Sequence, residues 1–246
     1  MENVLITGIT GGIGYAVAEK LLENGSSVLG VARNTRAVRE ALSSKYGERV
    51  HTVDFDLMQV EAVDDLIKEL VTGYGPIGGL VHCAGFDKMA PLHLVKPEDM
   101  EQLWRIHAQV PMRLVGLISK KKNHRENASI VLISSQAAHE GAMGHTAYAA
   151  AKGALEGYLA PAAAELMEKG IRINEVCLAP VETTMSAGWM SKMTPGQLKE
   201  FEAKYPLGFT SAAQAADMIC FLLSDQAKYM TGQMITVDGG HAVRKV

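Results

Sequence analysis

The chain has 246 residues, of which 48% are hydrophobic and 21% are charged; this apolar content can bury a sizeable core and excludes a disordered protein. The balance of 24 basic against 27 acidic residues gives a net charge of −3, which argues against a nucleic acid as partner, because such proteins favour a strongly basic face. No stretch of about 18 uncharged apolar residues occurs, so a membrane-spanning helix is excluded as well.

Short apolar runs alternate with longer segments of helical periodicity along the whole chain. The runs are rich in Val, Ile and Leu without regular alternation, as in strands that are buried on both faces. They predict seven strands: Val4–Thr7, Ser27–Val31, Val50–Asp54, Gly79–His82, Ser129–Ser134, Arg172–Leu178 and Met234–Val237. The segments between them predict helices near residues 12–24, 36–46, 60–72, 97–119, 147–168 and 211–223. This alternation predicts one α/β domain over residues 1–246, with a Rossmann-type, doubly wound parallel sheet and helices on both faces.

The first predicted strand runs directly into a glycine-rich turn and then a helix. Its sequence is Thr7-Gly8-Ile9-Thr10-Gly11-Gly12-Ile13-Gly14. Glycines let the backbone turn tightly and approach a pyrophosphate, and the helix N-terminus offers free N–H groups and the positive end of a dipole. A merely tight strand–helix turn is the alternative, but the position at the start of an alternating chain favours a dinucleotide site.

The end of the second predicted strand distinguishes between the two nicotinamide cofactors. An acidic residue there would hold the ribose 2′-hydroxyl of NAD, whereas a basic residue accommodates the 2′-phosphate of NADP. Here Ala32 stands where the acid would be, and Arg33 and Asn34 follow it. We therefore expect NADP(H) rather than NAD(H), against the alternative that Arg33 is a solvated arginine at a helix start.

A phenol and an ammonium lie four residues apart on the predicted helix 147–168. Tyr148 and Lys152 share one face of that helix, and Ser135 lies thirteen residues upstream of Tyr148, at the end of the fifth predicted strand. A nearby cation favours the phenolate and lowers the tyrosine pKa, as proton transfer at a carbonyl requires. A hydroxyl at the strand end can bind the same substrate oxygen.

The one long stretch without a predicted regular element is about 179–210. A loop of this length in a compact domain is often an active-site lid, and its position after the sixth strand places it at the ligand-binding edge of the sheet. We expect a substrate lid; a small helical excursion packed on the surface is the alternative. Trp189 and three methionines of the segment either line an apolar pocket or form the lid's own small core.

The three cysteines, Cys83, Cys177 and Cys220, stand far apart in apolar surroundings. They are expected to be small buried hydrophobes, neither a disulfide framework nor part of a metal site. The N-terminal segment has an acid before a short apolar run and no basic region, which argues against a signal peptide. We expect a cytoplasmic protein without a metal.

Taken in order, these motifs resemble those of the short-chain dehydrogenase/reductase family, in particular its 3-oxoacyl-[acyl-carrier-protein] reductase-like branch. The resemblance covers essentially the whole chain. The glycine turn matches the family's TGxxxGxG, and Asp56-Leu57 matches the acidic-apolar pair that usually contacts adenine. His82-Cys83-Ala84-Gly85 resembles the NNAG segment, and residues 231–240 resemble the family's last strand and the turn after it. Ser135, Tyr148 and Lys152 match the catalytic serine, tyrosine and lysine.

The resemblance implies a role for each of these positions. Tyr148 would exchange a proton with the substrate oxygen, Ser135 would polarise that carbonyl, and Lys152 would hold the nicotinamide ribose and lower the Tyr148 pKa. A homo-oligomer, and specifically a tetramer, is implied as well, with the apolar segments 97–119 and 147–168 pairing between subunits. The implied cofactor contacts are Gly8, Thr10, Gly11, Gly12, Ile13, Gly14, Arg33, Asn34, Asp56, Leu57, Cys83, Ala84, Gly85, Tyr148, Lys152, Pro180, Val181 and Thr183.

Three positions depart from the family pattern. His107 stands where the family has its active-site asparagine, and the PG segment after the sixth strand is replaced by Pro180-Val181-Glu182-Thr183. The first asparagine of NNAG is His82, which we expect to be a satisfied histidine at a strand end. A neutral His107 can hold the relay water that asparagine holds, and because imidazole titrates near neutral pH we expect its protonation to reduce turnover at acidic pH. The alternative is that His107 only fills space.

The leading hypothesis is an NADP(H)-dependent oxidoreductase that interconverts a carbonyl and a secondary alcohol of a small molecule. A same-fold epimerase and a cofactor-binding sensor with a weakened proton relay are the alternatives. His139 and His145 flank the segment between Ser135 and Tyr148. The sequence is equally compatible with histidines that face the substrate and with histidines in a solvated loop.

Overall fold

The computed structural model describes residues 1–243; positions 244–246 of the predicted domain lie outside the described residues. Within residues 1–243 the strands are β1 (Val4–Thr7), β2 (Val28–Ala32), β3 (Val50–Asp54), β4 (Ile77–His82), β5 (His124–Ser135), β6 (Arg172–Leu178), β7 (Val181–Glu182), β8 (Thr210–Ser211) and β9 (Met234–Val237). The helices are α1 (Gly12–Glu23), α2 (Arg36–Tyr46), α3 (Val63–Tyr74), α4 (Pro97–Trp104), α5 (Val110–Ile118), α6 (Thr146–Met167), α7 (Thr184–Met190), α8 (Pro195–Glu202) and α9 (Ala212–Leu223). None of the helices in this part of the chain combines the length and hydropathy that a membrane crossing requires.

Seven strands form one parallel sheet in the order β3-β2-β1-β4-β5-β6-β9. The strand order reverses between β1 and β4, which pair side by side with Thr7 opposite His82. The predicted seven-stranded, doubly wound sheet is thereby confirmed. A crevice opens beyond the carboxyl ends of the strands at such a reversal, and ligands bind there in open α/β sheets.

Helices cover both faces of the sheet because successive side chains of each strand point to opposite sides. Leu5 and Leu80 pack into a fully enclosed cluster with apolar residues of α3, α5 and α6. Their neighbours Ile6 and Val81 pack on the other face against α1 and α9. Burial of each such side chain contributes about 1.5–3 kcal/mol, so the two-sided core holds the strand ends, and the side chains they carry, in place.

The predicted helix 97–119 is interrupted in the middle. Between α4 and α5, residues Arg105–Gln109 form a wider π-helical turn, in which the Val110 N–H donates to the carbonyl of Arg105. Pro111 has no N–H and cannot bond the carbonyl of residue 107 in the α-helical pattern, which explains the change of pitch at this point. The wide turn carries His107 into the interior.

The segment 179–210 contains more regular structure than predicted. It forms β7, α7, α8 and β8, and both helices begin with capping boxes, at Thr183 and Thr194. The Trp189 ring packs edge-on against Phe201 with 5.4 Å between centroids. The aromatic residues therefore form a small core within the segment, and its expected action as a lid stays a prediction.

Candidate active site

Ser135, Tyr148 and Lys152 meet at the carboxyl end of β5. Ser135 is the last residue of β5, and its hydroxyl lies within hydrogen-bonding reach of the Tyr148 phenol. One turn along α6, the buried Lys152 ammonium donates a hydrogen bond of 2.6 Å to the carbonyl of Ile133. This bond fixes the lysine beneath the tyrosine, with Nζ 5.8 Å from the centre of the Tyr148 ring.

Burial perturbs the acid–base groups of this trio in opposite senses. Burial raises the pKa of Tyr148, the charge of Asp87 raises it further, and the hydrogen bond with Ser135 lowers it. Burial also lowers the pKa of Lys152 to about 8. A nearby ammonium in general favours the phenolate, so a protonated Lys152 opposes the effect of burial on the Tyr148 pKa.

His107 lies directly beside Tyr148. The two rings meet edge-on, with 5.0 Å between centroids and 83° between planes. The His107 Nε2–H donates to the carbonyl of Phe86 at 2.7 Å, so Nδ1 is the acceptor nitrogen of the neutral ring. This Nδ1 is enclosed and has no hydrogen-bond partner within residues 1–243. The ring also lies against Gly85, where a Cβ would fall 2.3 Å from the imidazole Cε1.

The expectation that His107 becomes charged in the working pH range is wrong. Burial lowers its pKa well below 6.5, and the positive charge of Lys152 lowers it further. Both effects favour the neutral ring, whose unpartnered Nδ1 is a hydrogen-bond acceptor. The sequence could not show this, because the shift comes from packing against residues distant in the chain.

His82 has both ring nitrogens occupied, as the sequence predicts. Its Nε2 donates to the Ile106 carbonyl at 3.0 Å, and its Nδ1 accepts from the Thr7 hydroxyl at 2.9 Å. Burial lowers its pKa to about 3, so the ring is neutral. His82 therefore ties β1 and β4 to the wide turn that carries His107.

The two histidines that the sequence left open lie in different surroundings. His145 approaches Tyr148 with 6.2 Å between ring centroids, and its Nε2 lies 3.0 Å from Asp87 Oδ2. Its Nδ1 faces the carbonyl of Met143 at 3.2 Å; the Asp87 contact raises the His145 pKa. His139 instead lies against Glu156 of α6, with 2.9 Å between Nε2 and Oε1. Sequence reasoning missed Asp87, which no pattern marks out.

The glycine turn ends at the N-terminus of α1. Gly11 is the N-cap, and as glycine it gives the first N–H groups of the helix no side-chain capping hydrogen bond. A Cβ on Gly14 would fall 2.3 Å from the Gly8 carbonyl oxygen, so only glycine permits this close return of the chain. The methyl group of Thr183 lies over Gly12, 2.9 Å from where a Cβ would be. Uncapped N–H groups beside an exposed glycine backbone fit a pyrophosphate.

Arg33 is held at the end of β2 by an interaction that the sequence did not reveal. The N–H and the hydroxyl of Thr35 both donate to Oδ1 of Asp54, each at 2.7 Å. The intervening Arg33 and Asn34 are exposed, and the Arg33 guanidinium makes no ion pair within residues 1–243. An unpaired guanidinium next to the glycine turn fits a phosphate on the adenosine ribose.

The other predicted cofactor positions follow strands at the carboxyl edge of the sheet. After β3, Asp56 accepts a hydrogen bond from the Met58 N–H at 3.0 Å, and Leu57 is buried. After β4, Ala84 donates its N–H to the Thr7 hydroxyl at 3.3 Å, and burial raises the Cys83 thiol pKa to about 12. After β6 come Pro180, which is half-buried, and Val181, which begins β7.

A family model described as Enoyl-(Acyl carrier protein) reductase matches residues 8–242. An uncharacterized oxidoreductase of Bacillus subtilis (strain 168) is 30% identical over 244 residues, which cover 97% of this chain and 98% of the relative. A 3-oxoacyl-[acyl-carrier-protein] reductase of Aquifex aeolicus (strain VF5) is 30% identical over 240 residues, 96% of this chain and 95% of that protein. The chain belongs to the short-chain dehydrogenase/reductase family. Within it, the chain lies in the 3-oxoacyl-[acyl-carrier-protein] reductase-like branch, and it is an oxidoreductase of the class that acts on CH–OH groups.

Solved structures of the same fold include nicotinamide complexes. ElxO with NADP bound has a TM-score of 0.88 and 25% identity over 99% of both chains. An actinorhodin polyketide ketoreductase variant with NADPH has a TM-score of 0.90 and 25% identity over 99% of this chain and 98% of that one. These likenesses support a nicotinamide cofactor for the chain.

Proposed function

We propose that the protein is an NADP(H)-dependent oxidoreductase that interconverts a carbonyl and a secondary alcohol of a small molecule at a Ser135-Tyr148-Lys152 site. The observation that carries this proposal is the phenol of Tyr148 within hydrogen-bonding reach of the Ser135 hydroxyl, with the ammonium of the buried Lys152 5.8 Å from the ring centre. Ser135 positions the substrate oxygen, and Tyr148 exchanges a proton with it. Lys152 keeps the phenolate accessible through its charge.

The residues that would hold the cofactor lie at the start of α1, after β2 and on α6. The N–H groups at the start of α1 bind the pyrophosphate, Arg33 pairs with the 2′-phosphate, and Lys152 reaches the nicotinamide ribose. When bound, the reduced nicotinamide supplies a hydride to the substrate carbon. NADP(H) is favoured over NAD(H) by the free guanidinium of Arg33 and the apolar Ala32 beside it.

His107 has a supporting part in this proposal. Its unpartnered Nδ1 is a hydrogen-bond acceptor next to Tyr148, and its neutral state is enforced by burial and by Lys152. In the proposed site Nδ1 holds a water molecule through which protons reach Lys152. An asparagine carbonyl oxygen accepts a hydrogen bond in the same way, which agrees with the residue that His107 replaces in the family pattern.

The test is NADPH consumption with a panel of aldehydes and ketones, followed by absorbance. Wild type turns over at least one carbonyl compound, and Tyr148→Phe loses nearly all turnover while it keeps NADPH affinity. Tyr158→Phe, a half-buried tyrosine on the same helix, is the matched control and keeps activity. Inverted configuration without net NADPH consumption indicates an epimerase, and binding without turnover indicates a sensor.

The subunit arrangement and compartment belong to the same proposal. Trp104 of α4 and Met167 of α6 are exposed apolar side chains, and the helices that carry them are those expected to pair in a homotetramer. The cysteines Cys83, Cys177 and Cys220 are free, which is compatible with the reducing cytoplasm that we expect.

A further inference from the structure

A third polar side chain continues the row formed by the catalytic pair on α6. Tyr148, Lys152 and Glu156 are spaced by four residues and therefore share one face of the helix. The neighbouring strand β6 presents Glu175 to this same face, because Ile173, two residues before it, packs with apolar residues of α6. A buried acid thus lies beneath the active site, on the face of the sheet that α6 covers.

Glu175 is fully enclosed and lacks the partners that a buried carboxylate normally has. Its exposed fraction is 0%, and neither carboxylate oxygen makes an aligned hydrogen bond within residues 1–243. The Ser134 hydroxyl beside it is likewise enclosed without an aligned partner. Leaving such groups unpaired costs about 1–3 kcal/mol each, so stability does not explain an acid at this position.

Burial brings the titration of this acid into the neutral range. Burial raises the pKa of Glu175 to about 7, the charge of Glu156 raises it as well, and Ser134 and Lys152 lower it. In return the charge of Glu175 raises the pKa of Lys152 against the effect of burial. The acid and the ammonium therefore respond to each other's protonation.

A line of titratable groups leads from Glu175 to the surface. Glu156 Oε1 lies 2.9 Å from Nε2 of His139, whose side chain is 37% exposed, but it makes no aligned hydrogen bond within residues 1–243. The groups that face Glu175 are Ser134 of β5, Lys152 and Glu156 of α6, and Cys177 of its own strand β6. The charges of Glu140 and Asp238 raise the pKa of Cys177. In the interior, Glu175 is coupled to Lys152 of the active site; at the surface, the series of groups ends at His139.

We propose that Glu175 is a positioning residue that stores a proton for Lys152 and exchanges it with solvent through Glu156 and His139. This inference rests on the proposed function and adds a proton route to the site separate from the His107 side. Water bound between the unpartnered oxygens completes the route, since buried water typically bonds such groups.

The protons balance over one reductive turnover. As the carbonyl carbon takes up the hydride that a bound reduced nicotinamide would supply, the Tyr148 O–H bond breaks and its proton joins the substrate oxygen. Lys152 then reprotonates the phenolate, and the Glu175 carboxylic acid reprotonates the Lys152 amine. One proton from solvent, passed by His139 and Glu156, restores Glu175. Oxidation of the alcohol runs the same transfers backwards.

The experiment compares wild type with Glu175→Gln, which keeps the shape of the side chain but cannot carry the proton. In single turnovers with excess enzyme, NADPH absorbance reports hydride transfer and an indicator dye reports proton uptake. Glu175→Gln is expected to slow proton uptake about tenfold, with KM and NADPH affinity within about twofold of wild type. Its alkaline limb in kcat shifts to lower pH, because Lys152 loses the carboxylate that supports its charge. Glu175→Asp retains a carboxyl group and partly restores the uptake rate.

Two readouts without catalysis separate this role from a structural one. An infrared band of a protonated carboxyl group near pH 7 is expected in wild type and is lost in Glu175→Gln. Because the pKa in the folded protein is about 7 against 4.5 for the ordinary group, wild type loses stability as pH rises through this interval. The melting temperature of Glu175→Gln relative to wild type therefore rises from pH 5 to pH 8. Glu168→Gln, exposed at the end of α6, is the matched control and changes neither readout.

Failure of the proton route and failure of the proposed function give different results. Wild-type proton uptake and an unshifted pH limb in Glu175→Gln, in an enzyme that turns over, overturn the proton route and leave the proposed function standing. A wild type that reduces no carbonyl compound overturns the proposed function itself, and the inference falls with it.

Discussion

Removal of the Arg33 guanidinium should abolish most of the preference of the protein for NADPH over NADH. Arg33 is exposed and unpaired within residues 1–243, so Arg33→Ala breaks no internal contact and leaves the fold intact. The bond from Thr35 to Asp54 holds the backbone beside it independently of the substituted side chain. The effect of the substitution is thus confined to the bound cofactor.

The magnitude follows from the one contact that is lost. A hydrogen bond to a charged group is worth about 1.5–3 kcal/mol, which corresponds to a rise of about 10- to 150-fold in the Kd for NADPH. Because NADH has no 2′-phosphate, its Kd should change less than about twofold. Solvent exposure of the site and added salt both weaken the interaction between the charges, so the rise in the Kd for NADPH should lie near the lower end of this range.

Fluorescence titration of both cofactors with wild type and Arg33→Ala measures these constants. Arg36→Ala is the matched control, because Arg36 is an exposed arginine of the same segment but is already paired with Glu40 at 3.0 Å. A wild type that binds NADH more tightly than NADPH, or an Arg33→Ala variant that binds both cofactors equally more weakly, would contradict the role of Arg33.

Three further predictions concern the relay, the glycine turn and the assembly. His107→Ala should lower kcat about tenfold at unchanged NADPH affinity. His107→Asn should keep activity and, since burial holds the His107 pKa low, should leave the dependence of kcat on pH below 7 the same as in wild type; pH–rate profiles check this, and an alanine variant equal to wild type contradicts it. Gly14→Ala places a methyl group 2.3 Å from the Gly8 carbonyl and should abolish NADPH binding in a titration; retained affinity in a protein with an unchanged melting curve contradicts it. Light scattering at micromolar concentration should give the mass of a tetramer, with the faces around Trp104 and Met167 buried; a monomeric mass refutes the pairing.

The seven strands of the main sheet and their parallel direction could be predicted, because each strand is a short apolar run that no helix pattern explains; their order in the sheet comes from the structure. The predicted ends of the strands differ from the observed ends where polar residues pair at the edge of the sheet. β5 begins at His124, five residues before its apolar run, because His124 pairs with Ile77 of β4 across a shift of register. The wide turn in the helix 97–119 was missed although Pro111 marks it, since proline near a helix start is also typical of an ordinary N-terminus.

The candidate site could be predicted in its residue types but not in its electrostatics. Spacing in the sequence indicated Tyr148 and Lys152, and the structure places Ser135 and His107 beside them. The protonation of His107 was misjudged because its pKa depends on burial and on the charge of Lys152, which only the folded chain brings near it. Glu175 gave one signal, a charge inside the apolar run of β6, but only packing shows which face of the sheet it occupies.

The central claim, hydride transfer at the Tyr148 site, is tested most directly with NADPH that carries deuterium at the transferable C4 position. With a ketone that wild type reduces, the account predicts one deuterium on the carbinol carbon for each NADPH consumed, and no transfer by Tyr148→Phe at equal cofactor occupancy. The account is contradicted by an alcohol that carries solvent hydrogen at that carbon, or by full deuterium transfer in Tyr148→Phe.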